Sequence, residues 1–347
     1  MIDAVSLRPF SLPLRQPLAT ARGTIDRRDG FLLQVEADGH VGFGEATPLP
    51  GWTESLADCR NALDAATDAL AADGFAAALA ATDGSPAARH AVSLARSDLD
   101  ARRDDVPLYR RLGGDETSAV PVNATVGDGD VEATAHAAAE AVADGFHAVK
   151  VKVGARSVAD DVRRVRAVRD RVGTGVELRA DANGAWSRED ARNAFDAFED
   201  AGVAFVEQPL PATDLDGLAS LRGGSVGVAL DETLAAVSVE DALDAGAGDA
   251  FVLKPMALGG PDRARDVART VREAGFDVLV TTTVDAVVAR TGAVHLAASL
   301  GDLPASGLAT ASLLGTDLGP DPAPVVGGEA RVPQNAGLGV AEVSVDA

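Results

Sequence analysis

Three residues of this chain stand apart by type. Lys150, Lys152 and Lys254 are its only lysines, while arginine supplies the remaining 28 of its 31 basic residues. Two of the three share one short apolar run, A-V-K-V-K-V-G at 148–154. Lysine is ordinarily among the commonest residues, so its retention at these points argues for chemistry that arginine cannot do. Arginine stays charged; a lysine that is desolvated or set near another cation gives up its proton and can then act as a general base. Other polar residues stand at comparable places. Asp181 ends V-E-L-R-A-D, with Asn183 two residues on; Glu207 ends V-A-F-V-E; Asp231 ends V-G-V-A-L-D, followed by Glu232; Lys254 ends A-F-V-L-K. Three carboxylates converging from adjacent strands repel one another unless countered, and a hard divalent cation resolves this. An all-oxygen donor set suits Mg²⁺, with Mn²⁺ as the second candidate, and the absence of His and Cys argues against Zn²⁺. Each residue alone has a plainer reading. A strand-end Asp caps a helix or forms a turn, Asn183 and Glu232 cap or support, and Lys254 is a solvated loop lysine. The ordered set K-x-K, D, E, D, K at five successive strand ends is what argues for a site.

Such residues need a scaffold that brings strand ends together. From Pro121 onward, short apolar runs alternate with amphipathic segments. The runs are 121–126, 148–153, 176–181, 203–207, 226–231, 250–254, 277–282 and 307–311. Eight runs at spacings of about 23–31 residues fit a closed (β/α)₈ TIM-type barrel, whose catalytic groups sit at the C-terminal ends of the strands. No G-x-G-x-x-G and no G-K-[ST] follows any run, which disfavours an open nucleotide-binding sheet. In 148–154 the valines 149, 151 and 153 share one face, so Lys150 and Lys152 point together into the barrel mouth. Residues 1–118 read as an α+β capping domain. It contains a hairpin turning at Asp38-Gly39 and helices near 54–72 and 86–111. Residues 119–317 make the barrel, and the Pro- and Gly-rich tail 318–347 is expected to pack back on the capping domain.

Composition narrows the partners. The net charge of −22, spread along the chain, repels nucleic acid and anionic membranes. No apolar run approaches the roughly 20 residues of a membrane helix, and the N-terminus lacks a signal-peptide pattern. The expectation is a cytoplasmic protein, and the acid-rich, lysine-poor surface fits a salt-rich cytoplasm in which the repulsion is screened. Cys59 lies in an apolar-periodic stretch and reads as a buried thiol.

K-V-K at 150–152, D-A-N at 181–183, E-Q-P at 207–209, D-E-T at 231–233 and the Lys254 strand together resemble the enolase superfamily, in its muconate-lactonizing branch. The resemblance covers nearly the whole chain. It implies that Asp181, Glu207 and Asp231 bind Mg²⁺, that the lysines flank a small-molecule carboxylate substrate, and that a proton α to the carboxylate is removed to give an enediolate. G-F-G-E-A-T-P-L-P-G-W at 42–52 resembles the capping-domain loop of o-succinylbenzoate synthases, the dehydratases of menaquinone biosynthesis. R-R-D-G-F-L-L-Q-V upstream and S-G-L-A-T-A-S-L-L-G-T-D-L near strand eight are similar to them too. That likeness implies a syn elimination in which Lys152 removes the α-proton, Lys254 is a cation beside the enediolate and ring, and Lys150 tunes Lys152 or contacts the carboxylate. Pro48–Trp52 and the loop near Thr20–Arg28 would close over the succinyl arm, with Thr282 and Thr283 of T-T-T-V-D also facing substrate. In that run Asp285 stands where Glu is expected.

Muconate cycloisomerases and N-succinylamino-acid racemases use the same lysines. Dipeptide epimerases show an Asp-x-Asp after strand eight, where this chain reads A-T-A-S. A Schiff-base aldolase would use a barrel lysine without metal and leaves the acid trio unexplained. A non-catalytic binding barrel would be expected to have lost one of the five groups. A homo-oligomer is compatible with all of these readings.

Overall fold

A computed structural model describes residues 2–20 and 23–344. The chain starts with an antiparallel sheet of β1 (Ala4–Thr20), β2 (Gly23–Ala37) and β3 (His40–Ala46), in that order. The expected hairpin turn is present: Asp38 and Gly39 have φ of 53° and 76°, the left-handed pair that a two-residue turn needs to follow strand twist. The expected 20–28 loop is different. Residues 21 and 22 lie outside the described residues, and 23–28 are strand, paired through Leu18↔Ile25 and Thr20↔Gly23. One face of the sheet is covered by helices Leu56–Asp73 and Pro86–Arg103, with Phe75–Ala81 packed against both. Gly44 permits the closest approach, since a Cβ there would collide with the Ala91 carbonyl. The helix expected over 86–111 ends at Arg103 and resumes only as Leu108–Arg111. Asp105 takes φ 53° and Pro107 follows, which no continuous helix accommodates.

The run 121–126 serves two sheets. β4 (Ala119–Pro121) pairs outside the barrel, and β5 (Ala124–Val126) opens it. The parallel sheet continues through β6 (Ala148–Lys152), β7 (Glu177–Asp181), β8 (Val203–Glu207), β9 (Gly227–Leu230), β10 (Ala250–Leu253) and β11 (Asp277–Val280), each beside the next. The expected eighth strand, 307–311, is reduced to two bridges. Ser306 pairs with Val122 and Gly307 with Thr281, closing the barrel between β11 and β5. The Ser306 hydroxyl accepts from Val280 N, replacing a backbone acceptor. Residues 311–313 turn into a 3₁₀ segment.

Strand alternation sorts the side chains as expected. Val149, Val151 and Val153 pack with Val165 and Val168 in the layer between sheet and helices. Four helices start on S-x-x-D, where the serine hydroxyl accepts the N–H of the aspartate three residues on: Ser55, Ser157, Ser187 and Ser238. Each satisfies an otherwise orphaned donor at a helix start. Helix Val287–Ser299 is buried along nearly its whole length, because the cap sheet covers the side that barrel helices usually show to solvent; its sequence is accordingly mostly apolar, and its buried Arg290 is paired with Asp317 and Asp321.

The tail divides. β12 (Val325–Val326) and β13 (Glu329–Arg331) form a hairpin on β4. Leu338 and Val340 pack with Phe10, Leu12, Phe43 and Leu94 of the cap. Among the described residues no helix is long and apolar enough to cross a membrane.

Candidate active site

Register brings the polar strand ends together. Lys152 pairs with Asp181, and Asp181 with Glu207. Lys150 Nζ lies 2.7 Å from Glu207 Oε2 and 3.3 Å from Asp181 Oδ2. Lys152 Nζ donates to Asp181 Oδ2 at 2.6 Å and to Asn183 Oδ1 at 2.8 Å. Lys254 donates to Asp231 Oδ1, and its Nζ sits 3.5 Å from the centroid of the Trp52 ring, which arrives from the cap. Asn183 Nδ2 donates to Glu232 Oε1 at 2.9 Å. These contacts make two sets, Lys150–Glu207–Asp181–Lys152–Asn183–Glu232 and Asp231–Lys254–Trp52, and the charges of Asp181, Glu207, Asp231 and Glu232 act on one another across them, so that they form one site. The lysines differ in access: the side chain of Lys152 is 36% exposed, those of Lys150 and Lys254 14% and 10%.

The acids are buried and press on one another. Burial and the charge of Asp181 lift Glu207 to about 7, against the pull of Lys150. Burial lifts Asp231 to about 6, with Lys254 opposing and Glu232 adding to the rise. For Asp181 burial acts upward, but Lys152 and Lys150 outweigh it and hold it below the usual carboxylate range. Burial works against the charge on Lys150, and Glu207 and Asp181 more than offset it, so its pKa rises. These are opposed charges stabilising each other in a low-dielectric mouth.

Among the described residues no three His, Cys, Asp or Glu side chains already stand as a metal cage. The expected convergence of three acids is modified in this respect, because each is turned toward an ammonium. The donor set nevertheless fits a hard divalent cation. It is all oxygen, it comes from three successive strands, and its members are too crowded to ionise freely without more positive charge. Glu232 Oε2 is also buried without a partner.

Other expected residues lie outside this group. Thr282 bonds Thr310, and Thr283 bonds Asp285. Pro48 is buried, and its carbonyl accepts from Arg28. Asp285 is in the seam between cap and barrel, near Arg28 and Glu45. Several organising residues escaped sequence reasoning. Gln208 is fully buried at φ 40°. Its Oε1 accepts from Asp231 N and Thr233 N, both at 3.0 Å, and its Nε2 donates to Leu210 O and Thr233 Oγ1. It thus fixes the backbone that carries Asp231. Its place beside Glu207 in E-Q-P was the available signal. Arg179, two residues before Asp181, is buried in the barrel with its guanidinium 4.6 Å from the Phe205 ring. The alternation that turns Asp181 into the barrel puts Arg179 on the same face, and that was the available signal.

Residues 133–343 match the family described as Enolase C-terminal domain-like, and residues 2–99 match MenC, N-terminal domain. A chloromuconate cycloisomerase from Pseudomonas sp. (strain P51) is 30% identical over 98% of this chain and 96% of its own length. The substrate-liganded L-Ala-D/L-Glu epimerase from Bacillus subtilis superposes with a TM-score of 0.89 at 27% identity, covering 99% of both chains. A dipeptide epimerase from Enterococcus faecalis V583, complexed with Mg and L-Leu-L-Tyr, superposes with a TM-score of 0.84 at 27% identity over 97% of this chain and 99% of its own. With its seven-stranded parallel barrel sheet, antiparallel cap and ring of lysines and carboxylates, the chain belongs to the enolase superfamily, in the muconate-lactonizing branch.

Proposed function

We propose that this protein is an o-succinylbenzoate synthase, removing water from 2-succinyl-6-hydroxy-2,4-cyclohexadiene-1-carboxylate in a Mg²⁺-dependent syn elimination. The observation that carries the reading is in the cap: residues 2–99 match the MenC N-terminal domain, and the 42–52 stretch within them brings Trp52 to Lys254. A similar epimerase is complexed with Mg; here a Mg²⁺ held by Asp181, Glu207 and Asp231 would when bound supply positive charge against the substrate carboxylate as negative charge builds there. Lys152, the most exposed lysine, takes the α-proton when its amine is unprotonated. The resulting ammonium passes that proton to the leaving hydroxyl on the same face, water departs and the ring becomes aromatic. Lys254 stands on the opposite side as a fixed cation. Lys150 neutralises Glu207 and Asp181 and keeps both in place. Asn183 links Lys152 to Glu232 and orients the base.

A second reading is another reaction of the branch, cycloisomerisation or epimerisation. The names of the relatives favour it at about the same identity. Against an epimerase, residues 309–312 read A-T-A-S and offer no acid to a substrate ammonium. The test is ultraviolet detection of the aromatic product in molar KCl with Mg²⁺, for wild type and Lys152→Ala. Turnover that requires Mg²⁺ and is lost in the variant supports the synthase and its base. A folded wild type that leaves the cyclohexadiene untouched but turns over muconates, dipeptides or N-acyl amino acids overturns the synthase reading in favour of the second.

A further inference from the structure

The segment that carries Trp52 is clamped at both ends and braced in the middle. At its start, the Glu45 carboxylate accepts from Ala286 N and Ala289 N, both at 2.8 Å, at the head of the barrel helix Val287–Ser299. At its end, the Glu54 carboxylate accepts from Ala87 N at 3.0 Å and Ala88 N at 2.9 Å, at the head of the cap helix Pro86–Arg103. Carboxylates are favoured at these positions, where free N–H groups and the helix dipole converge. Between them, Arg28 donates to Thr47 O at 2.7 Å and to Pro48 O and Val284 O at 3.2 Å each, tying the segment to the strand-seven loop. The tip is closed by its own bonds: Trp52 N and Thr53 N both donate to Leu49 O, and Leu49 N donates to Thr53 Oγ1. Three anchors on two domains and a self-closed turn describe a rigid shelf.

The shelf delivers one aromatic face to one cation. Lys254 Nζ lies 3.5 Å from the Trp52 ring centroid on one side and is bonded to Asp231 on the other. A cation within about 6 Å of an indole face is attracted by the ring quadrupole, most strongly for tryptophan. The lysine stem has several rotamers to lose, and ring and carboxylate together select one. We infer that Trp52 is a positioning residue: its ring face holds the Lys254 ammonium in place, so that this barrel lysine is set for reaction by the capping domain. The inference rests on the reading of Lys254 as a member of the reactive group, and it deepens that reading by assigning the residue that places it.

Two measurements test it. Trp52 and Trp186 are the only tryptophans, so a Trp186→Phe protein reports on Trp52 alone. In that background, removing the ammonium by Lys254→Met, with Lys254→Gln as a second removal, should change the emission maximum and lifetime of Trp52. Unchanged emission in both overturns the inference, whatever the substrate proves to be. With a substrate that the wild type turns over, Trp52→Leu should lower kcat about tenfold with KM within about twofold, and Trp52→Phe should restore most of the loss. Equal losses in the Phe and Leu variants, or a loss confined to KM, overturn it. Failure of the cyclohexadiene as substrate counts against the synthase reading only, because the fluorescence comparison needs no substrate.

Discussion

Replacing Glu45 by glutamine should invert the stability order of two proteins as pH changes. Glu45 is fully buried. Its carboxylate accepts from Ala286 N, Ala289 N and Thr47 Oγ1. Burial, then the charge of Asp285, lift its pKa from the ordinary 4.5 to about 7, with the Thr47 and Ala289 bonds opposing. A carboxyl raised in the folded state contributes stability that is present below the unfolded pKa and lost as pH rises through the folded one. The window therefore runs from about 4.5 to about 7, and the full loss across it is about 3 kcal/mol. Glutamine does not titrate. Its oxygen can accept one helix N–H, but its amide then faces the other, a mismatch worth about 1 kcal/mol. Glu45→Gln should thus be the less stable protein by about 1 kcal/mol below about pH 4, nearly equal near pH 5, and the more stable by about 2 kcal/mol near pH 8. Urea unfolding of both proteins by circular dichroism, at fixed molar KCl across that range, measures the difference. The contributions of Glu207, Asp231 and His295 are common to both proteins and cancel. A stability difference that stays constant across the range would mean that Glu45 titrates normally, and the buried-carboxylate argument would fail.

Gln208→Leu removes the acceptor of Asp231 N and Thr233 N and the donor to Leu210 O. Three buried groups left unpaired should cost about 3 kcal/mol, with faster amide exchange at 231 and 233; amides that stay protected would refute the assigned role. Lowering KCl from molar to about 0.01 M lengthens the screening distance from about 3 to about 30 Å. With a net charge of −22, the thermal midpoint should fall, and a salt-independent midpoint would refute the assignment of the acidic surface to a high-salt setting.

The parts of the fold that the sequence displayed are those in which a local pattern serves one purpose. The valines of 149–153 alternate because one face of β6 meets helices and the other the barrel mouth. Asp38-Gly39 turns because two successive left-handed residues match the twist of β2 and β3. Patterns serving two partners misled. The amphipathic run 86–111 stays apolar past its break because Leu108, Tyr109 and Leu112 are buried too, so periodicity continued where the helix did not. G-L-A-T-A reads as a strand, yet Ser306 and Gly307 make only bridges before the chain turns.

For the candidate site, type and order were enough to select Lys150, Lys152, Asp181, Glu207, Asp231 and Lys254, because strand alternation and parallel register follow from local chemistry. Contacts across the domain seam were not available from any local pattern. The Trp52 face over Lys254, Glu45 at the head of helix Val287–Ser299 and Arg28 on the Val284 carbonyl join residues separated by more than two hundred positions. Gln208 likewise acts through backbone groups of another strand. The sequence by itself determined which groups can do chemistry and that one barrel rim gathers them. Only the tertiary structure decided what holds them, since long-range packing of the cap on the barrel sets where Trp52 and its shelf come to rest.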